Sequence, residues 1–224
     1  MLDYVQAVVD RFSQAANAEQ ANKMARYMKN NFSFFGIKTP LRTTITKEIT
    51  QQYGTPDYQN LAAIVQSLYK QPQRELHYYA LDLVWQIRKQ WKEDLISLLE
   101  EMVIQKSWWD TVDMIASKLI GAYFSNFPTS REAYIHQWIA SDSLWLQRTA
   151  LLFQLKYKEK TDVKLLAFCI ERVMTSQAFF IQKAIGWALR EYAKTDQDWV
   201  KQFVLQHPLT PLSKREALKH ISSK

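Results

Sequence analysis

Glycine and proline are scarce in this chain, four and six among 224 residues. Tight turns and hairpins draw on both, so a fold of many short strands has too little turn material here. Runs rich in Ala, Leu, Lys, Gln and Glu take their place and favour helix, and an all-α fold is expected. Cysteine is scarcer still. Cys169 stands alone, inside the apolar helical run LLAFCIERV. A disulfide framework is thereby excluded, and a buried, inert thiol in a reducing, cytoplasmic setting is expected. No run reaches the roughly 18 apolar residues of a membrane span. The start, MLDYVQAVVDRF, carries Asp3 and Asp10 where a signal peptide would show a basic region followed by an apolar block. The four histidines, His77, His136, His207 and His220, show no ligand spacing with one another or with Cys169, so no metal and no other cofactor is expected.

What the chain has in excess is positive charge: a net +7 at pH 7, with a pI near 9.3. An anionic partner fits that balance, but only the placement of the charges can identify it. The hydrophobic content of 47% suffices for one large core or one elongated array. With no linker and no low-complexity segment, a single domain over 1–224 is expected.

Apolar recurrence and punctuation place helices at roughly 2–16, 18–31, 41–53, 57–70, 72–90, 93–105, 108–125, 129–140, 143–158, 162–174, 178–194, 196–206 and 212–222. Every proline falls near a start or a connection, where a missing amide hydrogen costs nothing. From residue 72 the longer helices begin near 72, 108, 143 and 178, a recurrence of about 35 residues per helix pair that marks a repeat array. The TPR consensus is not visible. A curved solenoid of degenerate HEAT-like antiparallel helix pairs is the expected architecture, with one helix of each pair lining a concave surface suited to an extended partner.

The basic residues fall in a pattern on that array. Lys183, Trp187, Arg190 and Lys194 follow i, i+4, i+7 and i+11 and form one stripe on the 178–194 helix. A solvated basic face would look the same for a helix taken alone. Arg148 interrupts the apolar run of SLWLQRTALLFQLKYKEK without an acid three or four residues away, so an external anion is its expected partner. Lys156, Lys158 and Lys160 crowd the end of the same stretch, in part complementing a helix C-terminus. Lys118, Arg26, Lys29, Lys38 and Arg42 add cations on other units, the placement needed to follow a phosphate backbone.

One stretch stands apart, SWWDTVD at 107–113. Ser107 and Asp110 read as a capping box, which accounts for Asp110. Trp108 is a candidate core residue. Asp113 lies one turn further in and shares an i, i+4 face with Trp109 at the edge of the apolar stripe. It is either a functional carboxylate or the ion-pair partner of a basic residue in the next repeat, such as Arg148.

The blocks RYMKNNFSFFGIKTPLR, KSWWDTVDMIAS, WLQRTALLFQL and KAIGWALREY, in this order and spacing, resemble the AlkD-type DNA alkylation repair glycosylases, a family of HEAT-like repeats, over nearly the whole chain. The resemblance implies that Trp109 and Trp187 contact the lesion nucleotide, that Asp113 is the catalytic carboxylate and that Arg148 grips the DNA backbone beside it. Tyr27 and Arg190 look like further DNA contacts, and Lys183, Lys156, Lys29 and Arg42 complete the expected DNA-binding set. The implied substrate is double-stranded DNA carrying alkylated purines, bound by a monomer away from any membrane. In one place the pattern departs: Arg42 is followed by Thr43 where family members often carry a second arginine. Two other readings stay open, a DNA-binding repeat protein without catalysis and a scaffold for an acidic protein.

Overall fold

The computed structural model describes residues 2–221, and among these every regular element is a helix, with one isolated parallel bridge between Ser33 and Gln73 in place of any strand. The chain divides into two compact units, one ending at Lys92 and the other beginning at Glu93.

The first unit contains α1 (Leu2–Gln14), α2 (Ala18–Tyr27), α3 (Thr39–Tyr53), α4 (Tyr58–Tyr69) and α5 (Arg74–Gln86), followed by a 3-10 turn at Arg88–Gln90. α1 packs on α3 and α4, and α5 packs on α3 and α4. Phe12, Ile45, Leu68 and Leu76 are wholly enclosed between them. Helix starts follow local chemistry. Asn17 accepts the Gln20 amide to cap α2, Pro40 occupies the first turn of α3, and Gly54, at φ 75°, ends α3.

The second unit runs through α6 (Leu95–Ile104), α7 (Trp109–Met114), a π-helical turn at Ile115–Ile120, α8 (Gly121–Asn126), α9 (Arg131–Ala140), α10 (Leu144–Leu152), α11 (Val163–Val173), α12 (Phe179–Tyr192), α13 (Gln197–Gln206) and α14 (Pro211–Leu218). α7, α10, α12 and α14 stand side by side, each packed on the next, while α9 and α11 pack on one another behind α10, and α13 packs on α12 and α14. This is the layered stacking of helix pairs expected of a repeat. Side-chain caps start α10 (Ser143), α11 (Asp162), α13 (Asp196) and α14 (Thr210). The sequence recurrence persists: α5, α7, α10 and α12 begin at Arg74, Trp109, Leu144 and Phe179, 35 residues apart each time.

Three expectations are corrected. The helix expected at 143–158 stops at Leu152 and is followed by turns and a 3-10 segment at Lys158–Lys160. The helix expected at 108–125 is a rod whose middle turn is π. Ser107 is not the N-cap that the expected capping box requires. Trp108 is the N-cap of α7 without a side-chain cap bond, and the Ser107 hydroxyl turns back to donate to the Val103 carbonyl at 2.6 Å.

Cys169 is fully buried in α11, and burial pushes its thiol up to about 12. No described helix is long and apolar enough to cross a membrane.

Candidate functional site

Asp113 and Arg148 occupy the same place in successive repeats, the fifth residue of α7 and of α10. Because α7 packs on α10, this shared register brings the two side chains together. The Arg148 Nε donates to Asp113 Oδ1 at 2.7 Å and its Nη2 to Oδ2 at 2.9 Å. Its Nη1 donates to the Phe180 carbonyl at the start of α12. The guanidinium is thus used on three sides and its side chain is 5% exposed, while that of Asp113 is 16% exposed and opens toward solvent. The expectation that Arg148 draws its anion from outside is therefore corrected. Its partner is Asp113, one repeat away, which is the ion-pair reading left open for that carboxylate. A bidentate fork of this kind fixes the plane of the carboxylate as well as its position.

Burial pushes the Asp113 carboxyl above its usual range; the hydrogen bonds and charge of Arg148 pull the other way without cancelling the shift, and Asp110 adds to it. Around the pair stands an aromatic wall. Trp108 meets Phe180 edge-on at 5.2 Å between ring centroids and Trp145 at 5.9 Å. Trp145 meets Phe180 at 5.1 Å, and the Arg148 guanidinium lies 5.8 Å from the Phe180 ring centre. Trp108 is therefore half-buried in this wall instead of in the core, and its indole Nε1 is enclosed without a hydrogen-bond partner. Trp145 and Phe180 carry no signal in the sequence, where they read as ordinary apolar helix positions.

Trp109 is the first residue of α7, half-buried, one turn before Asp113. Trp187, also half-buried, lies two turns beyond Phe180 on α12. The stripe on α12 has an acid that its spacing did not reveal. Lys183 Nζ lies 3.0 Å from Glu216 Oε1, and Arg190 Nη1 donates to Glu216 Oε2 at 2.8 Å and to its backbone carbonyl at 3.0 Å. The two cations hold the Glu216 carboxyl below its usual range. Lys194 pairs with Glu191 at 2.7 Å, and Lys156 is exposed just after α10.

In the first unit Tyr27 is 69% exposed at the end of α2. Lys29 follows in the left-handed region at φ 58° and is exposed. Arg42, in the first turns of α3, lies over the Tyr78 ring at 4.8 Å and 3.7 Å from Asp82, with its Nε enclosed and without a hydrogen bond. Among the described residues no group of His, Cys, Asp and Glu is arranged to hold a metal ion.

No curated protein matches the chain. Among solved structures, one described as a predicted DNA alkylation repair enzyme from Enterococcus faecalis shares 34% sequence identity and superposes with a TM-score of 0.87, covering 93% of this chain and 98% of that one. The family model of the DNA alkylation repair enzymes matches residues 8–221. The chain therefore belongs to the DNA alkylation repair enzyme family.

Proposed function

We propose that the protein is a monofunctional DNA glycosylase that hydrolyses the N-glycosidic bond of cationic alkylated purines, of the 3-methyladenine and 7-methylguanine type, in duplex DNA, acting as a monomer and without extruding the base into a pocket. The observation that carries the proposal is the Asp113 carboxylate, oriented by Arg148, still 16% exposed, and one helical turn after Trp109.

The chemistry needs little more. A purine alkylated at position 3 or 7 is positively charged, and it leaves as a neutral base with the electron pair of the broken bond, so no general acid has to protonate it. The deoxyribose passes through an oxocarbenium-like state, which a fixed carboxylate stabilises. Water then adds at the anomeric carbon and gives up a proton, for which the raised Asp113 carboxyl is a suitable acceptor. Indole faces attract cations by about 0.5–2 kcal/mol each, which favours the charged lesion over a normal base at Trp109 and Trp187. In this reading Arg148 serves first by holding Asp113, and Lys183, Arg190, Lys156, Tyr27, Lys29 and Arg42 meet the DNA.

A second reading, DNA binding without catalysis, is favoured by the fact that both Asp113 oxygens already accept from Arg148. Incubation with duplex DNA containing 7-methylguanine separates the two. Free base released well above the spontaneous rate is expected, and release at the spontaneous rate overturns the glycosylase assignment.

A further inference from the structure

α5 carries a carboxylate that no part of the proposed chemistry uses. Glu75, in its first turn, is 0% exposed. Its Oε2 accepts the Phe35 amide at 3.0 Å, and its Oε1 accepts the amides of Gly36 at 2.8 Å and Ile37 at 3.0 Å. Three consecutive backbone N–H groups converging on one buried carboxylate form an anion nest supplied with its anion by the protein itself. Burying that charge is costly unless every lone pair is matched, so this contact specifies the shape of the loop more sharply than apolar packing could.

The loop is pinned from its other side as well. Gly36 has φ 89°, and a Cβ there would lie 2.1 Å from the Asn17 carbonyl oxygen and 2.6 Å from the Ala21 nitrogen. The Asn17 amide donates to the Phe35 carbonyl at 2.8 Å and the Arg74 amide to the Ser33 carbonyl at 2.9 Å. Immediately after the clamped residues come the exposed Lys38 and then Arg42. Arg42 is received by Tyr78 and Asp82, three and seven residues after Glu75 and on the same face of α5. One helix face thus fixes both the loop and the second of the two cations that the loop delivers.

We infer that Glu75 is a positioning residue for DNA binding: by clamping residues 35–37 it holds Lys38 and Arg42 in the spacing at which they meet successive phosphates. The inference rests on the duplex-binding part of the proposed function and not on excision. A preorganised pair of cations neutralises phosphates without first ordering a loop, whereas a mobile pair gives up part of the binding energy to that ordering.

The test is Glu75→Gln. The glutamine places an NH2 group against one of the three amides, donor facing donor, and removes the charge. Duplex dissociation constants measured from 50 to 200 mM salt should show a slope of log Kd against log salt shallower by one to two, at about 0.9 for each phosphate no longer neutralised. Excision of 7-methylguanine should fall more at low DNA than at saturating DNA. In a Lys38→Ala/Arg42→Ala background, Glu75→Gln should shallow the slope no further, as expected of residues that act as a unit. A lower melting temperature with the wild-type slope would make Glu75 a purely structural residue and overturn the inference. Should the variant not fold, amide exchange in the wild-type protein decides. Residues 35–37 are expected to be protected before DNA is added, and 38–42 to gain protection on binding; fast exchange at 35–37 or no change at 38–42 overturns it. The expected slope change without any excision would sink the glycosylase reading and leave this one standing.

Discussion

The balance of forces on Asp113 sets what can be asked of it. Asp113→Asn keeps the shape but removes the charge that matters as the oxocarbenium-like state forms. Single-turnover excision should fall by about 10²–10³ while duplex affinity is kept. Wild-type excision by this variant would remove Asp113 from the chemistry. Because burial raises its pKa, wild-type excision should be lost as pH falls through that raised value, above the range where an exposed aspartate titrates. Stability runs the other way in the same window. The folded state holds the proton more tightly than the unfolded one, so the contribution of Asp113 to stability declines as pH rises through it. Arg148→Ala should move the excision profile to still higher pH, since the opposing influence of the guanidinium is gone, and should leave the salt slope of binding unchanged. A slope shallower by about one would instead return Arg148 to the phosphate contacts. At this scale the candidates Asp113 and Arg148 are legible as residue types out of place on apolar helices. Their pairing is one of the two readings open for Asp113, and the equal phase of the two helices 35 residues apart is what favours it over the other.

Elements are legible where punctuation is chemical. The starts expected at 18, 143, 162, 196 and 212 lie within one residue of those observed, where Asn17, Ser143, Asp162, Asp196 and Thr210 cap the helices. The π turn is not legible, because tertiary packing competes with local register there. Gly121, just after the turn, is so close to the next repeat that a Cβ would lie 2.6 Å from the Phe153 carbonyl oxygen, and its own carbonyl accepts from the Tyr157 hydroxyl at 2.6 Å. Nor does local patterning reveal how closely α12 approaches α14. A Cβ on Gly186 would lie 2.4 Å from Glu216 Cβ and 3.0 Å from the Ser213 carbonyl oxygen. Gly186→Ala should therefore push α14 away and destabilise the protein by about 1–3 kcal/mol, the usual cost of overpacking. Thermal unfolding checks this, and an unchanged or higher melting temperature would show that α14 gives way freely. The displacement would also draw Glu216 from Lys183 and Arg190, so a weaker dependence of stability on acid should accompany it.

For the molecule as a whole, the single sulfhydryl is a probe already in place. Cys169 is buried, with its thiol pushed up to about 12, and the thiolate is the reactive form. A thiol reagent at neutral pH should label the protein at the rate at which it opens, slowly in native buffer and at once in denaturant. Rapid native labelling would mean that α11 opens locally.

The equal spacing of the repeats also bears on how the chain can change in length. Asp113, Arg148 and Lys183 are the fifth residues of α7, α10 and α12. The meeting of Asp113 with Arg148, and of Lys183 with Glu216, depends on the phase of each helix, which turns by about 100° per residue. One residue inserted within the first turn of α10 would swing Arg148 a quarter-turn or more away from Asp113. The same residue added to the connection at 174–178 leaves the phase of every helix alone. Insertions and deletions among relatives that keep the site should therefore gather in the connections, while the stretch from each helix start to its fifth residue keeps one length.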